Sequence, residues 1–138
     1  MREIGFSEIK SVALDILKDV AYFCDTHDIR YVLAYGTMLG AVRHKGFIPW
    51  DDDIDIMMPR DDYNRFIKLY NDHNPRYQVF SIENDDTYIY KYTCLIKITP
   101  QCIINHNRFL IEYLCHCIGI SVIIFNRKYL ISWIMVII

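Results

Sequence analysis

Residues Tyr35 to Met58 read YGTMLGAVRHKGFIPWDDDIDIMM, and the fold turns on how that stretch is interpreted. It opens on Gly36-Thr37, crosses a basic loop containing glycine, and closes on four carboxylates, Asp51, Asp52, Asp53 and Asp55. Within the cluster, Asp53-Ile54-Asp55-Ile56 alternates acid and aliphatic side chains. As a strand continued by Met57 and Met58, it sends both carboxylates to one face and both isoleucines to the other. Two carboxylates about 7 Å apart on one strand face suit a Mg²⁺ ion. They also repel each other, and favour protonation unless a cation compensates. Runs of aspartate are ordinarily solvated loops, but a solvated loop has no need of Ile54 and Ile56.

The flanking residues extend the pattern. Tyr31 to Ala34 is a short apolar strand that Gly36 ends. Thr37 is expected to N-cap a short helix running through Arg43, and its free backbone N–H groups would form a phosphate seat beside the strand end. Arg43 can meet phosphate oxygens in bidentate fashion, whereas His44 and Lys45 are equally readable as solvated side chains. His44 to Trp50 reads as a loop, unusually apolar at Phe47, Ile48 and Trp50. Upstream, Ser7 to about His27 has the spacing of an amphipathic helix whose role is packing, with Lys10 off its apolar stripe.

Downstream, Pro59 breaks the strand, and Asp61 or Asp62 is expected to cap a helix to about Tyr70. Asn71 to Arg76 is rich in turn residues, Tyr77 to Ile82 suggests a strand, and Glu83 to Thr87 a polar loop. Tyr88 to Ile98 fits helix or strand, and Ile118 to Phe125 is β-rich. Tyr129 to Ile138 is almost wholly apolar, yet its ten residues are too few to span a bilayer.

A chain of 138 residues makes one domain, long enough for a real core. Its 53% hydrophobic and 14% aromatic content exclude a disordered chain. The net charge of -2 gives no reason to expect nucleic acid as a partner. Residues 101–138 hold three bases and one acid, so the acidic excess lies in residues 1–100 and matches the 51–55 cluster in size. The five cysteines are irregularly spaced behind a charged N-terminus with no cleavable apolar run, which points to free thiols in a reducing cytosol. Cys115-His116-Cys117 lacks the partner pair a zinc site needs. An EF-hand count fails at Ile56 and Asp62, and no P-loop is present.

The string Gly36-Thr37, Leu39-Gly40, Arg43, then Gly46-Phe47-Ile48-Pro49-Trp50-Asp51-Asp52-Asp53-Ile54-Asp55 resembles the nucleotidyltransferase superfamily, and within it the LicD family. That family includes bacterial phosphocholine transferases acting on cell-surface glycans, with eukaryotic fukutin-type relatives. The resemblance is strongest over residues 31–70 and fades after Tyr77. It implies an α/β (α+β) core, a small mixed sheet flanked by helices, forming one domain over residues 1–138. Gly36 and Thr37 would sit near the phosphates of a CDP-linked donor such as CDP-choline. Asp53 and Asp55 would be the catalytic residues and ligands of Mg²⁺, with Mn²⁺ as the alternative. The reaction implied is transfer of phosphocholine, or a similar phospho-substituent, to a glycan acceptor of the lipopolysaccharide or teichoic acid type.

Two departures accompany it. The third carboxylate, which the family carries on a later strand, is replaced by Ile123 within Ser121-Val-Ile-Ile-Phe-Asn126. Family members also continue beyond this point, so the chain is expected to be incomplete at its C-terminus. A catalytically inactive nucleotide-binding or interaction module is the alternative reading. The expected setting is cytoplasmic, with the apolar tail offering self-association or peripheral membrane contact.

Overall fold

The computed structural model of the chain describes residues 6–86, 93–97 and 119–125. The first helix, α1 (Phe6–Thr26), buries Ala13, Ile16, Val20 and Cys24 as its spacing predicts, and also Phe23, which lies outside the predicted stripe. It ends where the Thr26 hydroxyl donates back to the Tyr22 and Phe23 carbonyls at 3.0 and 2.9 Å, and Asp28 then turns the chain at φ 50°.

Strand β1 (Val32–Leu33), helix α2 (Tyr35–Arg43), strand β2 (Ile54–Pro59) and helix α3 (Arg60–Leu69) follow. Strands β3 (Tyr77–Phe80), β4 (Thr93–Lys97) and β5 (Gly119–Phe125) complete one five-stranded sheet in the order β1-β2-β5-β4-β3. The β2–β5 pair is parallel and the other neighbours are antiparallel, so the sheet is mixed and the fold class is α+β.

The acid–aliphatic alternation becomes a strand as read, although pairing begins at Ile54 and leaves Asp53 one residue ahead of it. Ile54, Ile56 and Met58 are buried against α1 and α3, while Asp55 and Met57 lie half-buried on the opposite face. Around them Phe23, Phe66 and Tyr70 pack edge to face and tilted, with ring centroids 4.7 to 5.8 Å apart. Each such fully buried large side chain contributes about 1.5–3 kcal/mol. This core is the platform on which the carboxylates stand.

Several boundaries differ from expectation. Helix α2 begins two residues before Thr37, and its N-cap is Ala34, which makes no side-chain capping bond. Helix α3 starts from Pro59 rather than from Asp61 or Asp62. Asp62 is buried and accepts the Arg30 Nε at 2.6 Å, so its carboxylate is committed to that ion pair instead of a cap. A 3₁₀ turn over Tyr70–Asp72 follows α3. Strand pairing in β3 stops at Phe80, and Ile82 is exposed in the turn beyond. The ambiguous Tyr88 to Ile98 run contains strand β4, and the β-rich run is β5. The Cys115-His116-Cys117 motif and the Tyr129 to Ile138 tail lie outside the described residues. No helix among the described residues is long and apolar enough to cross a membrane.

Helix α2 passes close under the loop that leads to β2. A Cβ added at Gly40 would lie 2.6 Å from the Gly46 carbonyl oxygen and 3.1 Å from the Ile48 nitrogen, both backbone atoms. Gly40→Ala is therefore expected to cost about 1–3 kcal/mol. A fall of several degrees in Tm would show it. An unchanged Tm would mean that the helix and loop are not packed this tightly.

Candidate active site

The Gly36-Thr37 turn and the acidic strand form one bonded unit. The Ala34 N–H donates to the Asp55 carbonyl at 2.9 Å, continuing the β1–β2 ladder by one residue. In an unbroken antiparallel ladder the Asp55 N–H would return a bond to the Ala34 carbonyl. That carbonyl instead accepts the Met38 N–H at 3.1 Å, as the first bond of α2. The strand therefore becomes a helix at the cost of an orphaned amide. The Thr37 hydroxyl accepts it at 2.9 Å. This is why a hydroxyl side chain stands there, and its role is to tie helix to strand rather than to cap the helix.

Gly36 has a separate reason. A Cβ there would lie 2.5 Å from Asp51 Oδ2, so the missing side chain lets the first carboxylate of the cluster settle against the start of α2. Tyr35, at φ 42°, makes the sharp entry into the helix. The result places Gly36, Thr37, Asp51, Asp53 and Asp55 around one point of the fold.

The loop between α2 and β2 is held from two directions. The His44 and Gly46 amides both point to the Gly40 carbonyl, at 2.8 and 3.4 Å, and Lys45 turns through φ 57°. From α1, Lys10 Nζ donates to the Ile48 and Pro49 carbonyls at 3.0 and 2.9 Å. A cavity of about 430 Å³ lies beneath this loop. Its floor is apolar, with Leu14, Leu17, Leu33, Phe47 and Ile48. Gly36, Thr37, Asp51 and Asp53 also line it, with Lys45.

Electrostatically the carboxylates are crowded. Partial burial, then a hydrogen bond to the Asp51 carboxyl, then the charges of Asp55, Asp51 and Asp52 push the Asp53 carboxyl from 3.8 up to about 6. A group in that position gains from a proton or from a cation. Among the described residues no three His, Cys, Asp or Glu side chains form a ready metal cage.

Not every residue singled out in the sequence arrives here. Arg43 is exposed at the far end of α2, about 10 Å along the helix from Gly36, and does not line the cavity, whereas Lys45 does. On β5, Ser121 is the register partner of Asp55, and Ile123 pairs with Met57. The position beside Asp55 thus belongs to a serine, two residues before the isoleucine aligned by motif. The contributions of Lys10, Leu14 and Leu17 were not visible in the sequence. Their i, i+4, i+7 spacing was available, but nothing local separates a site-facing edge from a solvated one.

Comparisons with known proteins identify the family. The profile of the family described as "LicD/FKTN/FKRP, nucleotidyltransferase domain" matches residues 28–100. The lipopolysaccharide cholinephosphotransferase LicD of Haemophilus influenzae is 39% identical over 93 residues, which is 67% of this chain and 34% of that protein. Uncharacterized proteins of Rickettsia typhi and Rickettsia prowazekii are 43% and 45% identical over 70 and 63 residues, covering 50% and 45% of this chain. The chain spans 23% and 24% of their lengths, so it corresponds to a minor part of each relative. The chain belongs to the LicD family.

Two outcomes test the site. Thr37→Val should leave the Asp55 amide unpaired and lower stability by about 1–3 kcal/mol, while Thr37→Ser should stay close to wild type; chemical denaturation of the three proteins measures it. The second outcome concerns pH. Because Asp53 is raised in the folded protein, the native state binds the extra proton, and Asp53 weakens folding as pH climbs from 3.8 to about 6. Without added metal, Asp53→Asn should therefore melt progressively higher than wild type across that window and hold the gain above it. Equal melting curves at pH 4 and pH 7.5 would contradict the crowding.

Proposed function

We propose that this LicD-family chain carries the donor-binding part of a transferase site. It binds a CDP-linked donor together with Mg²⁺ (or Mn²⁺) and serves transfer of phosphocholine, or a similar phospho-substituent, to a hydroxyl of a cell-surface glycan. The observation that carries this reading is the bonded unit of Thr37 and Asp55 beside a cavity, lined by Thr37, Asp51 and Asp53, that is large enough for a small ligand. It sets the start of α2 beside the acid cluster. Helix starts favour phosphate, and carboxylate pairs favour a divalent cation.

In this reading Asp53 and Asp55 hold the metal, which when bound neutralises charge developing on the transferred phosphoryl group. The residues of the chain do the remaining work. Gly36 leaves room for Asp51 against the helix start, and the first turn of α2 offers its N–H groups to the donor phosphates. Lys45 on the cavity wall offers a cation to the donor, and the apolar floor excludes water. Asp53 would have to give up the proton it shares with Asp51 before it could hold a cation, so affinity for the cation should weaken below about pH 6.

The activity named for the Haemophilus relative belongs to a protein of which this chain covers 34%. A second reading, in which the chain binds nucleotide without turning it over, is favoured by one observation. Strand β5 runs Gly-Ile-Ser-Val-Ile-Ile-Phe beside β2 and contains no acid to act as the third carboxylate.

A thermal-shift titration with CDP-choline, with and without Mg²⁺, distinguishes these. Wild type should melt higher only when both are present, by mass action on the native state, and Asp53→Asn should not respond. No shift in wild type would contradict donor binding. Release of CMP by a sample that shows the shift would support transfer, and a shift without release would support the binding module.

A further inference from the structure

Helix α1 precedes the segment 28–100 that carries the family match, yet one of its edges faces the site. Lys10, Leu14 and Leu17 recur at i, i+4 and i+7, beside the core stripe of Ala13, Ile16 and Val20. All three serve the same loop and cavity. Lys10 Nζ reaches two consecutive carbonyls, those of Ile48 and Pro49, and lies 5.5 Å from the centre of the Phe47 ring. Leu14 and Leu17 line the cavity beneath, and Leu14 is left 40% exposed.

The loop needs such a hold. Lys45 is in the left-handed region, a Cβ at Gly46 would meet nothing within 4 Å, and the Gly46 amide bond to Gly40 is long at 3.4 Å. Bonds from an ammonium are roughly twice as strong as neutral ones. Lys10 fastens the loop just before Asp51, whose amide itself bonds the Ile48 carbonyl at 3.0 Å. The position of the Ile48 carbonyl therefore links the ammonium to the first residue of the acid cluster.

We propose that this edge of α1 is a working wall of the site. Lys10 is a positioning residue that fixes where the loop delivers Asp51 and Asp53. Leu14 and Leu17 form the apolar side against which the uncharged body of a metal-bound phosphate ester rests. The chemistry of the cavity selects that class of ligand. A purely ionic ligand would leave the leucines and Phe47 wet, and a purely apolar one would leave the carboxylates uncompensated. The ligand half of the proposal rests on the donor reading above, whereas the loop half rests on the Lys10 bonds alone.

The test uses the full chain as wild type, Lys10→Met, Lys10→Arg and Leu14→Gln, well below their melting transitions. Two quantities are read: the rate of tryptic cleavage after Arg43 and Lys45, and Mn²⁺ affinity from the electron paramagnetic resonance signal of the free ion. Lys10→Met should be cut faster and bind Mn²⁺ roughly tenfold more weakly, as groups that orient metal ligands do when removed. Lys10→Arg should recover both. Leu14→Gln should keep Mn²⁺ affinity and bind CDP-choline at saturating Mn²⁺ roughly fivefold more weakly. If wild type binds Mn²⁺ and Lys10→Met binds it equally well, the positioning role is overturned while the donor reading stands, whether or not cleavage changes. Leu14→Gln that binds CDP-choline as wild type does would overturn the apolar wall. Wild type that binds no Mn²⁺ would overturn the donor reading, and the proposal with it.

Discussion

The hydrogen bond from the Asp55 amide to the Thr37 hydroxyl is the constraint from which the rest of the site follows. It exists because the chain leaves a β-ladder and enters a helix within two residues, which commits the Ala34 carbonyl to α2 and strands one strand amide. A buried or half-buried amide without a partner is costly, so the turn needs a hydroxyl at this position. Once the bond is made, helix start and acidic strand cannot move independently. Gly36 then brings Asp51 against the helix start. The end of the β1–β2 ladder and the place of Thr37 both follow from how these backbone polar groups are satisfied.

The acid cluster works against stability. Asp53 sits among three other aspartates close in sequence, and its carboxyl is pushed up to about 6. The core offsets that repulsion from the other face of the same strand. Ile54, Ile56 and Met58 are buried, and they pack with Phe23, Phe66 and Tyr70. Alternation along β2 thus divides labour, with one face anchoring the strand and the other carrying Asp55. The Arg30–Asp62 pair shows the contrasting case, a buried carboxylate with its own cation within hydrogen-bond reach.

Much of this was legible in the sequence. The period-two pattern of residues 53–58 gave the strand and its faces, and the spacing from Ile9 to Cys24 gave the core stripe of α1. Thr37 was read as a helix cap, whereas the cap position is Ala34. Capping is a local rule, but the true partner of Thr37, Asp55, is eighteen residues away. Asp62 failed as a cap for a related reason, since its carboxylate is taken by Arg30 across the fold. Arg43 was read as a phosphate ligand for its bidentate guanidinium, and it stands exposed at the opposite end of α2 from Gly36. Lys10 was unreadable, because an amphipathic helix shows which face is buried and not what its edges touch. The register of β5, which sets Ser121 rather than Ile123 beside Asp55, depends on pairing that no motif records.

The central claim is that the turn and the acidic strand form one cation-binding unit. The most direct measurement is a Mn²⁺ titration followed by amide NMR, because the paramagnetic ion broadens only the signals close to it. The account predicts that amides at 36–38 and 51–56 broaden first and together, ahead of those in the α1–α3 core. Broadening confined to the strand with the 36–38 amides untouched, or spread evenly over the chain, would contradict it.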